Sequence, residues 1–149
     1  MNHNFLRAPT LLLALTMAAT MTLDVLAQDA DRLEGVYEVN GGCGQPDTGG
    51  TPQFCYSDRL RLIPSGRNAY DFEVETSQST GHRCALEGNA KKIGQTLVFE
   101  RGSCKLTFAL QNQGIRLRDD HSCKEQALCG ARASLDGLYF PFANRKKPQ

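Results

Sequence analysis

Hydrophobic and polar residues alternate with a period of two over much of the chain that follows residue 35. In DRLRLI, Leu60 and Leu62 alternate with Arg59 and Arg61, and in AYDFEVET three large apolar residues alternate with three acids. Successive side chains of a β-strand point to opposite faces, so this alternation predicts strands with one buried and one solvated face. The segment PSGRN between them consists of turn residues and predicts a hairpin.

One register of this hairpin satisfies both faces of the predicted sheet. When Leu60 faces Phe72 and Leu62 faces Tyr70, the inner face carries apolar pairs. Arg61 then faces Asp71 on the outer side, and pairs of both kinds stabilise antiparallel sheets. We therefore expect this register.

Further segments with the same alternation predict the rest of the fold. They are GVYEVN, RCALEG, LVFER, KLTFALQ, IRLRDD and SLDGLYFPF, and turn residues separate several of them. No segment carries the long apolar stripe of an amphipathic helix. The pattern predicts an all-β domain of about eight antiparallel strands, arranged as a meander that closes into a barrel or a sandwich.

The first 27 residues have the pattern of a secretory signal. Arg7 precedes a short apolar run, and small residues at Val25 and Ala27 offer a cleavage point before Gln28. The apolar run is shorter than a membrane-spanning helix requires, so we expect no stable insertion into a membrane. The expected mature protein is one periplasmic or secreted β-domain, residues 28–149, with the short basic tail NRKKPQ.

Six cysteines lie in the expected mature chain, and an even number in an exported protein predicts disulfide bonds. None of them forms the C-x-x-C pair that is typical of zinc sites. Their positions along the predicted strands favour pairing 43 with 55, 84 with 104, and 123 with 129. A bond between positions 104 and 123 remains an alternative, because position 104 lies opposite about residue 121 in the hairpin around NQG. The six residues are Cys43, Cys55, Cys84, Cys104, Cys123 and Cys129.

The densest group of polar residues is DDHSCKEQALCG, residues 119–130. Consecutive strand residues point to opposite faces, so Asp119, Asp120 and His121 are not expected to converge on a metal ion. Ser122 follows His121 directly and lacks the G-x-S-x-G context of a hydrolase nucleophile. We interpret the stretch as a solvated strand end followed by a disulfide-closed turn.

Composition and motifs narrow the class of protein further. The formal net charge is +1, and the sequence contains no phosphate-binding loop and no dinucleotide fingerprint. We therefore expect no nucleic-acid partner, no cofactor, no metal and no catalytic residue. A small stapled β-domain of this kind is expected to bind a partner through its loops rather than to be an enzyme.

The predicted strands and the turn in which Ser65 and Gly66 precede Tyr70 resemble the bacterial periplasmic inhibitors of C-type lysozyme. Members of that family are small β-barrels that push a loop into the lysozyme cleft and have no enzymatic activity. The turn offers polar and aromatic groups that could enter an acidic cleft, so we expect contacts with a lysozyme or another envelope protein through Ser65, Arg67, Asn68 and Tyr70. The chain departs from the family pattern in the spacing between Gly66 and Tyr70, and it has no tryptophan.

A second hypothesis is a ligand cup of the lipocalin type. An eight-stranded barrel can also hold one small ligand or lipid. The segment EGVY is similar to the first-strand motif of lipocalins, with Tyr37 in the place of their tryptophan. The sequence does not identify the partner or ligand, the disulfide pairing or the oligomeric state.

The signal hypothesis predicts a specific mass for the exported protein. Removal of residues 1–27 leaves Gln28 as the first residue, and its side chain can cyclise to pyroglutamate. Intact-mass measurement of periplasmic or secreted protein is expected to give residues 28–149 with three disulfides. A mass that includes residues 1–27 would contradict both export and the disulfides that depend on it.

Overall fold

The computed structural model describes most of the chain from residue 33 onward, and residues 33–149 form one compact unit. Within the part that it describes, no helix is long and apolar enough to cross a membrane. The expected signal peptide and most of the glycine-rich loop that follows Gly44 lie outside the described residues. The described residues are 33–44, 54–77, 82–124, 127, 129–130 and 133–148.

The described residues form nine antiparallel strands and one short 3-10 helix, in agreement with the predicted all-β fold. The strands are β1 (Gly35–Gly44), β2 (Phe54–Gly66), β3 (Ala69–Ser77), β4 (Arg83–Ile93), β5 (Thr96–Arg101), β6 (Cys104–Gln111), β7 (Gly114–Asp119), β8 (Tyr139–Pro141) and β9 (Arg145–Lys146), with the 3-10 helix at Phe142–Asn144.

The strands form a meander that is nearly closed into a barrel. Each strand from β1 to β7 pairs with the next along the chain, and β9 pairs with β1 at the other edge of the sheet. Only the 3-10 helix separates β8 from β9, so one continuous segment, residues 139–146, borders both edges. The last strand that the sequence predicts, SLDGLYFPF, contains β8, whereas the ninth strand, β9, lies in the basic tail NRKKPQ.

Side chains fill the interior of this barrel. The ring of Phe72 packs edge-to-face against Phe99 at 5.1 Å and against Phe108 at 5.0 Å. Such aromatic contacts stabilise a core beyond the area that they bury. The largest fully buried side chains are Tyr37, Phe108, Phe140, Leu60, Leu62, Leu97, Leu106, Ile115, Leu117 and Leu135. The inner positions predicted from the alternation in β2 and β3 are confirmed.

The register predicted for the β2–β3 hairpin is wrong by two residues. Leu60 faces Val74, Leu62 faces Phe72, and Arg61 faces Glu73. The chain does not turn at Pro64, because β2 continues to Gly66 through a bulge and only the next two residues form the turn. A shift by an even number of residues keeps every side chain on its predicted face, so the assignment of inner and outer residues is unaffected.

Two of the three expected disulfides are also wrong. Cys84 is bonded to Cys129, and Cys104 is bonded to Cys123, so neither the expected 84–104 bond nor the 123–129 bond forms. The cause is a two-residue turn at Gly102, whose φ of 61° suits glycine. This turn ends β5 and places Cys104 at the start of β6, opposite Arg101 and away from β4. The 104–123 bond is the alternative that the hairpin around NQG predicts.

The expected 43–55 bond agrees with the pairing of the first two strands. Cys55 is disulfide-bonded, and in the β1–β2 register its backbone lies opposite Cys43. The side chain of Cys43 lies outside the described residues. No described cysteine is free.

The two described disulfides fasten the chain between β7 and β8 to the barrel wall. This crossover segment, the described residues between Asp120 and Leu138, is bonded to β6 through Cys123 and to β4 through Cys129. Its buried residues are Cys123, Ala127, Ala133 and Leu135, and all of them join the core. Because β7 ends where β4 and β6 begin, the segment covers one end of the barrel.

Three tight turns lie at the opposite end of the barrel, which we call the turn end, whereas the tight turn at Gly102 lies at the covered end. The β2–β3 turn, the β4–β5 turn and the β6–β7 turn all lie at the turn end, since successive strands of the meander run in opposite directions. The two ends therefore differ: one is covered by a disulfide-fastened segment and the other is formed by short connections.

We predict unequal losses of stability when the two disulfides are removed. In the chain-entropy model a bond closing a sequence separation of 45 contributes about 4 kcal/mol, and one closing 19 contributes about 3 kcal/mol. Serine pairs at Cys84 and Cys129, or at Cys104 and Cys123, should lower the free energy of unfolding in that order in urea titrations. Peptide mapping without reductant that recovers an 84–104 or a 123–129 bond would contradict this pairing.

Candidate functional site

The β2–β3 turn displays three of the four residues expected to contact a partner. Ser65, Arg67 and Asn68 are exposed, and Asn68 has a φ of 61°, a left-handed conformation that asparagine tolerates. Tyr70 lies two residues further, at an inward position of β3, and only 4% of its surface is exposed. A partner at this turn therefore meets Ser65, Arg67 and Asn68, whereas the ring of Tyr70 belongs to the core.

Strand β4 fixes the conformation of this turn. The side-chain amide of Asn89 donates hydrogen bonds to the Ser65 hydroxyl at 2.7 Å and to the Asp71 carboxylate at 2.8 Å. The backbone N–H of Lys92 donates to the carbonyl of Asn68 at 2.8 Å. The backbone of the turn and the Ser65 hydroxyl are thus attached to a third strand.

The outer face of β2, β3 and β4 carries ion pairs beside a surface cleft of about 480 Å³. The Arg61 guanidinium lies 3.4 Å from the Glu73 carboxylate, and Arg83 pairs with Glu75. A glycosidase needs two facing acids, one of them in a desolvated environment. Glu73 and Glu75 are instead solvated and each is paired with an arginine, and such surface pairs contribute about 1 kcal/mol or less.

A third ion pair connects β9 to β1. The Lys146 ammonium lies 2.6 Å from the Glu38 carboxylate, and the hydrogen bond and charge of Lys146 lower the pKa of Glu38. The side-chain amide of Asn144 donates to the Glu38 carbonyl at 2.9 Å. These contacts hold the end of the segment 139–146 against β1.

Polar side chains of residues 119–124 form hydrogen bonds that hold the start of the crossover segment. The buried Asp119 carboxylate accepts a hydrogen bond from the Cys123 N–H at 3.2 Å, and the Ser122 hydroxyl accepts one from the Lys105 N–H at 2.9 Å. Among the described residues no group of three metal-binding side chains lies close enough to hold an ion. Asp119 ends β7 and a turn follows it. Cys123 is bonded to β6 and Cys129 to β4, so the two cysteines do not bond to each other as expected.

Comparison with known proteins gives no relative: no family model matches the sequence, and neither a curated protein nor a solved structure matches it. The fold and the surface define a small, nearly closed antiparallel β-barrel whose interior is filled. Its function has to be argued from its surface, and the turn end offers the polar groups that the barrel itself does not use.

The part of the site that β4 provides was not predicted from the sequence. The pattern identified RCALEG as the start of the fourth strand and assigned no role to the residues after Gly88. In the structure the ring of Phe99 occupies the space that a Cβ at Gly88 would fill, so the glycine permits close packing and the strand continues. Extending the period of two past Gly88 would have placed Asn89 and Lys91 on the outer face, but their position beside the β2–β3 turn follows from the pairing of β3 with β4.

We predict that Ser122→Ala raises the pKa of Asp120 toward the usual value of 3.8. Hydrogen bonds from the Ser122 hydroxyl and backbone N–H lower this pKa, and the variant loses only the first of them. A lowered pKa contributes stability above the unfolded-state value, and this contribution disappears as the pH falls through the folded-state pKa. Carboxyl chemical shifts in an NMR titration measure the change.

Ser122→Thr is the matched control, because it keeps the hydroxyl and should keep the low pKa of Asp120. An unchanged pKa in Ser122→Ala would show that the hydroxyl is not the cause.

Proposed function

We propose that this protein is an exported binding protein that inhibits a lysozyme or another envelope glycosidase by inserting its β2–β3 turn into the acidic cleft of that enzyme. The observation that carries the proposal is the exposed Arg67 on a turn fixed by β4. Glycosidases act through a pair of carboxyl groups. A guanidinium forms charge-assisted, bidentate hydrogen bonds with a carboxylate, so Arg67 is suited to bind one of them.

The rigidity of the turn supports inhibition rather than a loose encounter. Ordering a flexible loop on binding costs conformational entropy, and this cost reduces affinity. The hydrogen bonds of Asn89 to Ser65 and of Lys92 to Asn68 hold the turn before any partner arrives. More of the contact energy then appears as affinity.

The filled interior favours surface recognition over the lipocalin-like alternative. Phe72, Phe99 and Phe108 meet inside the barrel, where a lipocalin would hold its ligand. Tyr37, which stands in the place of the lipocalin tryptophan, is fully buried and donates a hydrogen bond from its hydroxyl to the Leu33 carbonyl at 2.8 Å. A lipid would have to displace these side chains to enter.

The proposal predicts that the mature protein inhibits at least one type of lysozyme. Arg67→Ala should raise the inhibition constant at least tenfold, as expected when a charged contact in an interface is lost. Arg67→Lys should be intermediate, since it keeps the charge but not the bidentate geometry. Arg118→Ala is the control: Arg118 is also exposed and forms no ion pair with a described residue, but it lies in β7. A lysozyme-activity assay gives all four constants.

Two outcomes would contradict the proposal in different ways. No inhibition at micromolar excess across several types of lysozyme would remove the inhibitor function, and co-purified lipid in native mass spectrometry would then favour the ligand cup. Inhibition that Arg67→Ala leaves intact would keep the function but exclude this turn as the inserting loop.

A further inference from the structure

We infer that the β4–β5 turn forms a second part of the same recognition surface, and that the whole surface fits a protein cleft whose carboxylates lie beside an apolar contact. The inference rests on the proposed function and names the chemistry of its partner. We call Arg67 and Asn68 of the β2–β3 turn, together with Lys91 and Ile93 at the end of β4, the tip surface.

The two turns are joined by backbone contacts. Ala69, which follows the β2–β3 turn, pairs directly with Lys91, and the Lys92 N–H donates to the Asn68 carbonyl at 2.8 Å. A partner that reaches Asn68 is therefore within one strand spacing of Lys91, since neighbouring strands lie about 5 Å apart. The two turns present one continuous surface.

The β4–β5 turn is as firmly held as its neighbour. The Thr96 hydroxyl donates to the Ile93 carbonyl at 2.8 Å, and the Leu110 N–H of β6 donates to the Gln95 carbonyl at 2.9 Å. Both turns can thus bind without first being ordered, which favours affinity.

Ile93 supplies an apolar contact at the tip. It is 63% exposed, and among the described residues it is the one large hydrophobic side chain that is exposed. A single exposed isoleucine is ordinary on a protein surface. Here it lies two residues from Lys91 in the strand that supports Asn68, so apolar and cationic groups share one small surface.

Charge distinguishes the tip surface from the wall of the barrel. On the wall, Arg61 and Arg83 are paired with Glu73 and Glu75. At the tip, Arg67 and the exposed Lys91 form no ion pair with any residue that the structure describes. The uncompensated positive charge is complementary to an acidic partner.

A protein cleft suits this surface better than an anionic membrane. One isoleucine and a few cations hold a protein at a bilayer only weakly. Ser65 and Asn68 are exposed on the same turn. Their hydroxyl and amide groups contribute most to binding when the donors and acceptors they meet have fixed positions. A cleft with carboxylates and polar side chains supplies those positions.

The first test measures lysozyme inhibition by Lys91→Gln and Ile93→Thr. Each variant should raise the inhibition constant about fivefold, which is the loss of affinity expected for a moderate interface contact. The loss for Lys91→Gln should shrink as salt is added, because screening weakens charge pairs, while the loss for Ile93→Thr should persist. Arg118→Gln on β7 and Val36→Thr on β1 are the matched controls, since neither residue pairs with the tip surface, and both should behave like the parent.

The outcomes separate this inference from the proposed function. Suppose that the parent protein inhibits lysozyme, that Arg67→Ala loses inhibition, and that Lys91→Gln and Ile93→Thr inhibit as well as the parent. The proposed function then stands and the tip surface is overturned. If co-sedimentation with phosphatidylglycerol vesicles depends on Lys91 and Ile93 while inhibition does not, the surface is a membrane contact and the inference is likewise overturned.

A second probe tests the tip surface even if no lysozyme is inhibited. A synthetic peptide of alternating glutamate and leucine, added to the isotopically labelled mature protein, should shift the amide resonances of Arg67, Asn68, Lys91 and Ile93. A peptide of alternating lysine and leucine should not. Shifts confined to other strands, or equal shifts with both peptides, would overturn the inference.

Discussion

Pairing of both sheet edges by residues 139–146 is the constraint on which the barrel depends. An open sheet leaves rows of unpaired backbone groups at its edges, and these favour aggregation. Here β8 pairs with residues 114–116 of β7, and β9 pairs with Val36 and Tyr37 of β1. The 3-10 helix between them crosses from one edge to the other, where the Phe142 N–H donates to the Gln113 carbonyl and its ring lies 6.4 Å from that of Tyr37. Loss of these contacts would expose two edges at once.

Closure determines where the protein can recognise another molecule. A barrel of this size is filled by its own side chains, so the interior has little to offer a ligand. The crossover segment covers one end, and two disulfides and several hydrogen bonds offset the entropy of ordering irregular chain there. The turn end carries exposed groups with no such structural task. The position of the proposed site therefore follows from the architecture before any partner is considered.

The sequence predicted the strands and their faces well, because a period of two is a local property of each segment. It failed where the exact position of a turn decides long-range contacts. The bulge between Pro64 and Gly66 moved one hairpin by two residues, and the turn at Gly102 moved Cys104 to another strand and changed the disulfide pairing. A residue more or less in a turn leaves the alternation unchanged, so the pattern could not reveal either error.

The candidate site was predictable to the same extent. The exposure of Ser65, Arg67 and Asn68 was predictable because turn residues mark the surface. Tyr70 was assigned both to the strand interior and to the binding turn, and only its burial agrees with the structure. Asn89 and Lys91 depend on the pairing of β3 with β4, which no local signal shows. Recognition by such a site would act at short range, since the net charge is only +1 and charges are screened over about 8 Å at physiological salt. The paired charges on the wall then contribute little at the turn end. Affinity for an acidic cleft would come from the few uncompensated cations that enter it.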